Sequence, residues 1–146
     1  GMNANIRYCS TYNEGVEESE LNKYDIVLAV NLLHTYEEPL KEVEWAALLL
    51  KREGDFYAIE YEELDPMGIL ISGLLENGFV NRKRGRREHT PLLLLDDWKN
   101  IYGQAPFGEV AINRRGRLGA LLIHAKNVTP EVIEMRSRIL EYMNEI

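Results

Sequence analysis

Two apolar runs separated by one helix-length of amphipathic sequence constrain this chain more than any other feature. The first is YDIVLAV at 24–30 and the second begins at Phe56 and ends at Ile59, just before Glu60. YDIVLAV is nearly continuous in β-branched and apolar residues, the pattern of a strand buried on both faces of a parallel sheet. Between the runs, Pro39 suits a first helical turn, and Glu37 and Glu38 lie near the positive end of its dipole. Leu40, Val43, Ala47 and Leu50 repeat on one helical face, and Gly54 is expected to end the helix. Strand, helix and strand in this length make a βαβ unit with a right-handed crossover.

The rest of the chain extends that unit into an α/β fold, with parallel strands followed by an antiparallel C-terminal hairpin and a last helix. Ile6–Cys9 is a short strand candidate, and 14–20 is acidic and loop-like. Pro66 opens a helical stretch to Leu75, Asn81–Thr90 reads as a polar basic loop, and Leu92–Tyr102 as a helix with Asp96 and Asp97 near its start. Glu109–Ile112 and Leu118–His124 flank a short turn containing Gly116 and read as a hairpin. Thr129 caps a final helix with Pro130 at its first position. The expected organisation is one domain over 1–146, with an N-terminal strand and acidic loop at 1–23, a core at 24–126 and the helix at 127–146.

Several classes are excluded. The apolar run 67–75 is too short to span a bilayer, so no membrane association is expected. The single cysteine, Cys9, forms no internal disulfide, and the chain reads as cytoplasmic. A net charge of −7 speaks against a nucleic-acid partner. His34, His89 and His124 fall on different elements and Cys9 has no partner at ligand spacing, so no metal site is expected.

Three segments carry a family resemblance: YDIVLAVNLLHTYEEPL, LLLKREGDFYAIEYEE and RGRREHTPLLLLDDWKNIYGQAPF. The first two look like the central strand of a class I S-adenosylmethionine-dependent methyltransferase, the loop after it, and the next strand. The third, with its arginine, proline–leucine–leucine step and tryptophan, resembles the methyltransferase domains embedded in nonribosomal peptide and polyketide synthetases, including the siderophore-type synthetases that make pyochelin. The likeness runs from about Ile6 to Lys126 and implies a Rossmann-like, truncated domain equivalent to the family's C-terminal half. The glycine-rich loop and the ribose-holding acid of that family are missing, and Ser10–Asn13 stand where its adenine-side aspartate would be. S-adenosylmethionine is thus implied by resemblance only, and this chain alone is not expected to bind it.

The resemblance implies four site residues. His34 follows one parallel strand and Glu60 ends the next; neighbouring strands would bring their ends to about 5 Å, at the sheet edge where ligands bind. Matching positions in the carbon-methylating branch hold a His–Glu pair, His34 taking a proton from an acidic carbon and Glu60 orienting the imidazole. Asn31 would lie near the methionine part of the cofactor, although a strand-ending Asn equally serves a turn. Arg87, in the basic run 82–87, matches a recurrent family arginine and would face a substrate such as a carrier-bound phosphopantetheine arm; a solvated loop is the plainer reading.

Loss of the cofactor-facing half would strip YDIVLAV of its neighbours and leave an apolar edge. Ile6–Cys9 could fill the place, two copies could pair as a homodimer, or a complementing methyltransferase half could supply the strands; a homodimer is the first expectation. Three functions follow: a remnant or split methyltransferase inactive alone, a non-catalytic interaction or scaffold domain of a biosynthetic synthetase, or a small-molecule binder using the cleft near His34 and Glu60.

Overall fold

A computed structural model describes residues 5–8, 18–74, 90, 92–117 and 119–145. The elements are β1 (Tyr24–Val30), α1 (Pro39–Leu49), β2 (Leu50–Tyr61), α2 (Pro66–Leu74), α3 (Leu95–Gln104), β3 (Phe107–Arg115), β4 (Ala120–Val128) and α4 (Pro130–Glu145). The strands form one four-stranded sheet in the order β1-β2-β4-β3. β1 runs parallel to β2, and β4 is antiparallel to both β2 and β3. The expected α/β class, parallel start and antiparallel hairpin are therefore all present.

The core lies on one face of this sheet. Val27 and Ala29 of β1 stand beside Phe56 and Ala58 of β2, which stand beside Ala125 and Ile123 of β4. Against them pack Val43, Ala46 and Ala47 of α1, Trp98 and Tyr102 of α3, and Val132 of α4. Phe56 stacks between Tyr102 and Phe107, with ring centroids 6.2 and 6.1 Å away. Alternation along each strand sends every second side chain into this layer. Arg136 of α4 fastens it from the rear. Its guanidinium is buried and donates to the carbonyl oxygens of Leu48 (3.1 Å), Ala47 (2.6 Å) and Leu50, and to Asn22 Oδ1 (3.2 Å). These carbonyls terminate α1 and lack partners within the helix, so the arginine caps it.

Three expectations need correction. YDIVLAV is not buried on both faces: among the described residues β1 is an edge strand, and Ile26, Leu28 and Val30 are 54, 68 and 62% exposed. Its run of apolar residues hid a period of two, because the residues pointing away from the core are apolar as well. Gly54 does not end α1. The chain passes at Leu50 directly into a long β2, and Gly54 lies within it, where an added Cβ would stand 2.8 Å from Leu50 Cδ2 and 3.1 Å from Asp25 O. The glycine permits the close approach of β1 and β2. Residues 5–8 form no strand and are exposed, so Ile6 does not fill the place beside β1; Cys9 lies outside the described residues.

The remaining expectations hold in kind with shifted bounds. The hairpin strands are longer than expected, and the turn between them holds Gly116 and Gly119 at φ +71° and +60°, a region that glycine enters without strain. The helix expected from Leu92 begins at Leu95, where Asp97 reaches back to accept the Leu94 N–H at 2.9 Å. Among the described residues no helix is long and apolar enough to cross a membrane.

Candidate active site

The parallel pairing of β1 and β2 brings Val30 level with Ile59, so both strands end at the same edge. Beyond β1 the chain turns at Asn31, whose φ of +50° is left-handed and whose N–H donates to Ile59 O at 2.7 Å. Asparagine tolerates this conformation better than most residues. The turn leads into a short 3-10 segment, Leu33–Thr35, that folds back over the edge.

Glu60 is fully buried there. It shares the inward parity of Phe56 and Ala58, which aims its carboxylate at the layer between sheet and helices. A lone buried carboxylate would be costly, and this one is fully engaged. Oε1 accepts the N–H groups of Leu32 (3.0 Å) and Leu33 (2.7 Å), and Oε2 accepts from His34 Nδ1 at 2.7 Å. His34 is itself 7% exposed. A carboxylate only accepts, so the ring proton sits on Nδ1 and Nε2 is the acceptor nitrogen of the ring. Chemically, such an arrangement can serve as a general base with its orienter, the orienter in turn fixed by two backbone donors.

The structure thus brings His34, Glu60 and Asn31 to one sheet edge. Arg87 and the rest of the basic run lie outside the described residues, as does His89. His124 stands apart on the opposite face of the sheet, where Nε2 meets Asp55 Oδ1 at 2.6 Å and the ring stacks on Tyr57 at 4.3 Å. Among the described residues no cluster of three or more His, Cys, Asp or Glu side chains could hold a metal.

Two features of the site were missed in the sequence. Tyr102 is buried with no hydrogen-bond partner for its hydroxyl, and burial first, then the negative charge of Glu60, pushes its phenol well above the usual range. Glu62, two residues past Glu60 and also buried, accepts the Leu95 N–H at 2.8 Å and pairs with Arg114 Nε at 2.5 Å, fixing the start of α3. The alternation FxAxExE through 56–62 was the available signal, since it gives both glutamates the inward parity of Phe56.

The described residues do not form a complete S-adenosylmethionine site. No glycine lies in the loop after β1 or in the loop after β2, and only Leu32 separates Asn31 from the Leu33–Thr35 turn. The described glycines serve β2, helices α2 and α3, and the hairpin instead.

Element order, mixed sheet and carboxyl-edge site together define an α/β fold of the methyltransferase type. The chain superposes on the citrinin polyketide synthase CMeT domain with a TM-score of 0.66 and 24% identity, covering 79% of this chain and 30% of that one. The CurJ carbon methyltransferase follows at 0.61 and 23%, covering 75% and 31%. The trans-methyltransferase CalH, in complex with SAH, gives 0.63 and 21%, covering 80% and 32%. In sequence, 85 residues are 32% identical to Highly reducing polyketide synthase 40 of Fusarium pseudograminearum (strain CS3096), which is 58% of this chain and 3% of that protein. No family model matches the chain. The chain therefore has the fold of these methyltransferases and spans less than a third of each of those three solved structures.

Proposed function

We propose that this chain presents the proton-abstracting dyad of an S-adenosylmethionine-dependent carbon methyltransferase related to those of polyketide synthases. The observation that carries the reading is the buried His34 Nδ1–Glu60 Oε2 contact of 2.7 Å, with Glu60 held by the Leu32 and Leu33 amides. His34 Nε2 takes the proton of a carbon flanked by carbonyls. The electron pair moves into those carbonyls as an enolate, and Glu60 stabilises the imidazolium that forms. By the family resemblance, Asn31 contacts the cofactor side of this edge and Arg87 binds a carrier-bound substrate. The methyl donor is held by a complementing methyltransferase half, so the chain alone does not transfer methyl groups. The polyketide setting follows the relatives' own names; a nonribosomal or pyochelin-type host is the second reading, favoured by the tryptophan segment at 84–107. A scaffold domain or a small-molecule binder would keep the fold without the proton transfer.

Hydrogen–deuterium exchange at the carbon between the carbonyls of a β-ketoacyl thioester, followed by NMR, tests the dyad without any cofactor. The chain should accelerate exchange above buffer, and His34→Gln should abolish the acceleration. Equal rates for both proteins would refute the reading. Calorimetry with S-adenosylmethionine should show no micromolar binding by the chain alone, and such binding would place the donor site within it.

A further inference from the structure

The sheet edge that carries the dyad is divided electrostatically. The loops that follow β1 and β2 hold Glu37, Glu38, Glu62, Glu63 and Asp65 and no lysine or arginine. The β3–β4 hairpin turns at the same edge, and its tip gathers Arg114, Arg115 and Arg117 in a chain whose net charge is −7. Strand pairing fixes where they stand. The row of partners through Glu60 crosses Leu121 and ends on Arg114, so this arginine is level with the buried carboxylate and two strand spacings away, about 10 Å. The next row runs through Tyr61, Ala120 and Arg115, one residue nearer the rim.

Arg114 is anchored. Its Nε donates to Oε2 of the buried Glu62 at 2.5 Å, while its side chain stays 58% exposed. Glu63 and Asp96 also act on its charge. The charge of Arg114 is therefore answered locally, and the surplus belongs to Arg115 and Arg117. Both are exposed, and neither has an ion-pair partner among the described residues.

We infer that the hairpin tip is an anion subsite of this edge and takes the phosphate of the thioester arm on which the substrate arrives. The inference rests on the dyad reading, since it concerns the substrate of that same site. A carbon acid presented to His34 as a thioester is neutral near the reacting carbon. Any negative group farther along it is repelled by the loops after β1 and β2 and meets a cationic surplus at the hairpin. Guanidinium groups present paired donors that match phosphate oxygens. The separation from Glu60 leaves room for an extended arm to lie along the edge between the two. Such a phosphate occurs in coenzyme A and in the phosphopantetheine arm of a carrier protein.

Amide NMR of the 146-residue chain tests the subsite without turnover. Phosphopantetheine should shift the amides of Arg114–Arg117, and pantetheine, which lacks the phosphate, should not. In the deuterium-exchange reaction, a β-ketoacyl phosphopantetheine thioester should half-saturate the chain at roughly tenfold lower concentration than the pantetheine thioester. Added salt should narrow that gap. Arg115→Gln, Arg117→Gln should keep the melting temperature and bring the two thioesters together. Lys51→Gln, Arg52→Gln removes the same charge at the opposite end of β2 and should keep the preference. Equal half-saturation in the native chain, or a preference that survives the hairpin variant, would overturn the inference. So would equal loss in the Lys51, Arg52 variant, which would assign the effect to net charge. The same ketoacyl group on coenzyme A and on an acyl carrier protein separates the two sources, and a lower half-saturation for either one supports the subsite. Hairpin shifts with no exchange from either thioester would refute the dyad and keep the subsite; exchange with no phosphate preference would do the reverse.

Discussion

The two faces of the sheet are built from similar residues and have opposite fates. On the covered face, Phe56, Ala58, Leu121, Ile123 and Ala125 are at most 1% exposed under three helices. On the open face, Leu28, Val30 and Leu122 are 42–68% exposed. Hydrophobicity alone does not assign a residue to a core; what counts is whether a second layer arrives to remove water from it. β1 shows this within seven residues, since Ala29 is buried and both its neighbours are exposed.

The comparison breaks most sharply with neighbouring residues of β4. Ile123→Ala should cost roughly 2–5 kcal/mol, because it opens a cavity in a closed layer. Leu122→Ala, one residue away, should cost less than about 0.5 kcal/mol, because that side chain already faces water. Urea denaturation of both variants checks the difference. Equal losses would mean that the open face is covered after all. Arg136→Ala comes next, at about 2–4 kcal/mol, because buried carbonyls at the end of α1 would each lose the guanidinium as a donor, Leu48 O keeping the Asn22 N–H. Arg136→Lys should recover only part, since an ammonium cannot reproduce the guanidinium fork.

Glu60 sharpens the comparison differently, as a charge placed deliberately in the covered layer. Glu60→Gln should cost about 1–3 kcal/mol. If its carbonyl oxygen keeps the Leu32 and Leu33 amides, its NH2 group faces His34 Nδ1 and must find an acceptor there. The ring should therefore move its proton to Nε2. Nitrogen-15 NMR of the imidazole should report Nδ1–H in the native chain and Nε2–H in the variant; an unchanged tautomer would show that Glu60 does not set it.

Much of the fold was legible because it is local. Pro39 and Pro130 open helices where proline at a first turn belongs, and the hairpin follows from two short runs around Gly116. The dyad was legible in part, since two parallel strands must end at one edge and His34 and Glu60 are the residues there. What could not be read depends on partners distant in sequence. An apolar run looks the same whether water or a helix lies over its second face, which is why β1 was expected to be buried twice. Arg136 gives no sign in α4 that it caps a helix some 90 residues earlier. The amides of Leu32 and Leu33 gain their role only because β2 brings Glu60 beneath them.

A smaller effect than that of Glu60 separates two ways in which the covered layer holds polar atoms. Glu60 is buried and fully hydrogen-bonded; the Tyr102 hydroxyl is buried close enough to feel that charge and has no partner. Removing an unpaired buried hydroxyl relieves a desolvation cost, so Tyr102→Phe should be neutral or stabilising, by up to about 1 kcal/mol. The pH dependence carries the same information. The folded-state pKa of Tyr102 is raised by burial first and by Glu60 second. Its contribution is therefore fully present below the unfolded value of about 10, and it is lost as pH rises beyond that value toward the folded one, because the unfolded chain releases the proton first. Tyr102→Phe should flatten the alkaline fall in stability while leaving the neutral region unchanged or slightly improved. Tyr36, whose phenol is also raised by burial and by Glu42, should keep a residual alkaline slope. An alkaline limb identical in native and variant protein would mean that the Tyr102 hydroxyl reaches water, and the layer above β2 would then be less closed than the face comparison requires.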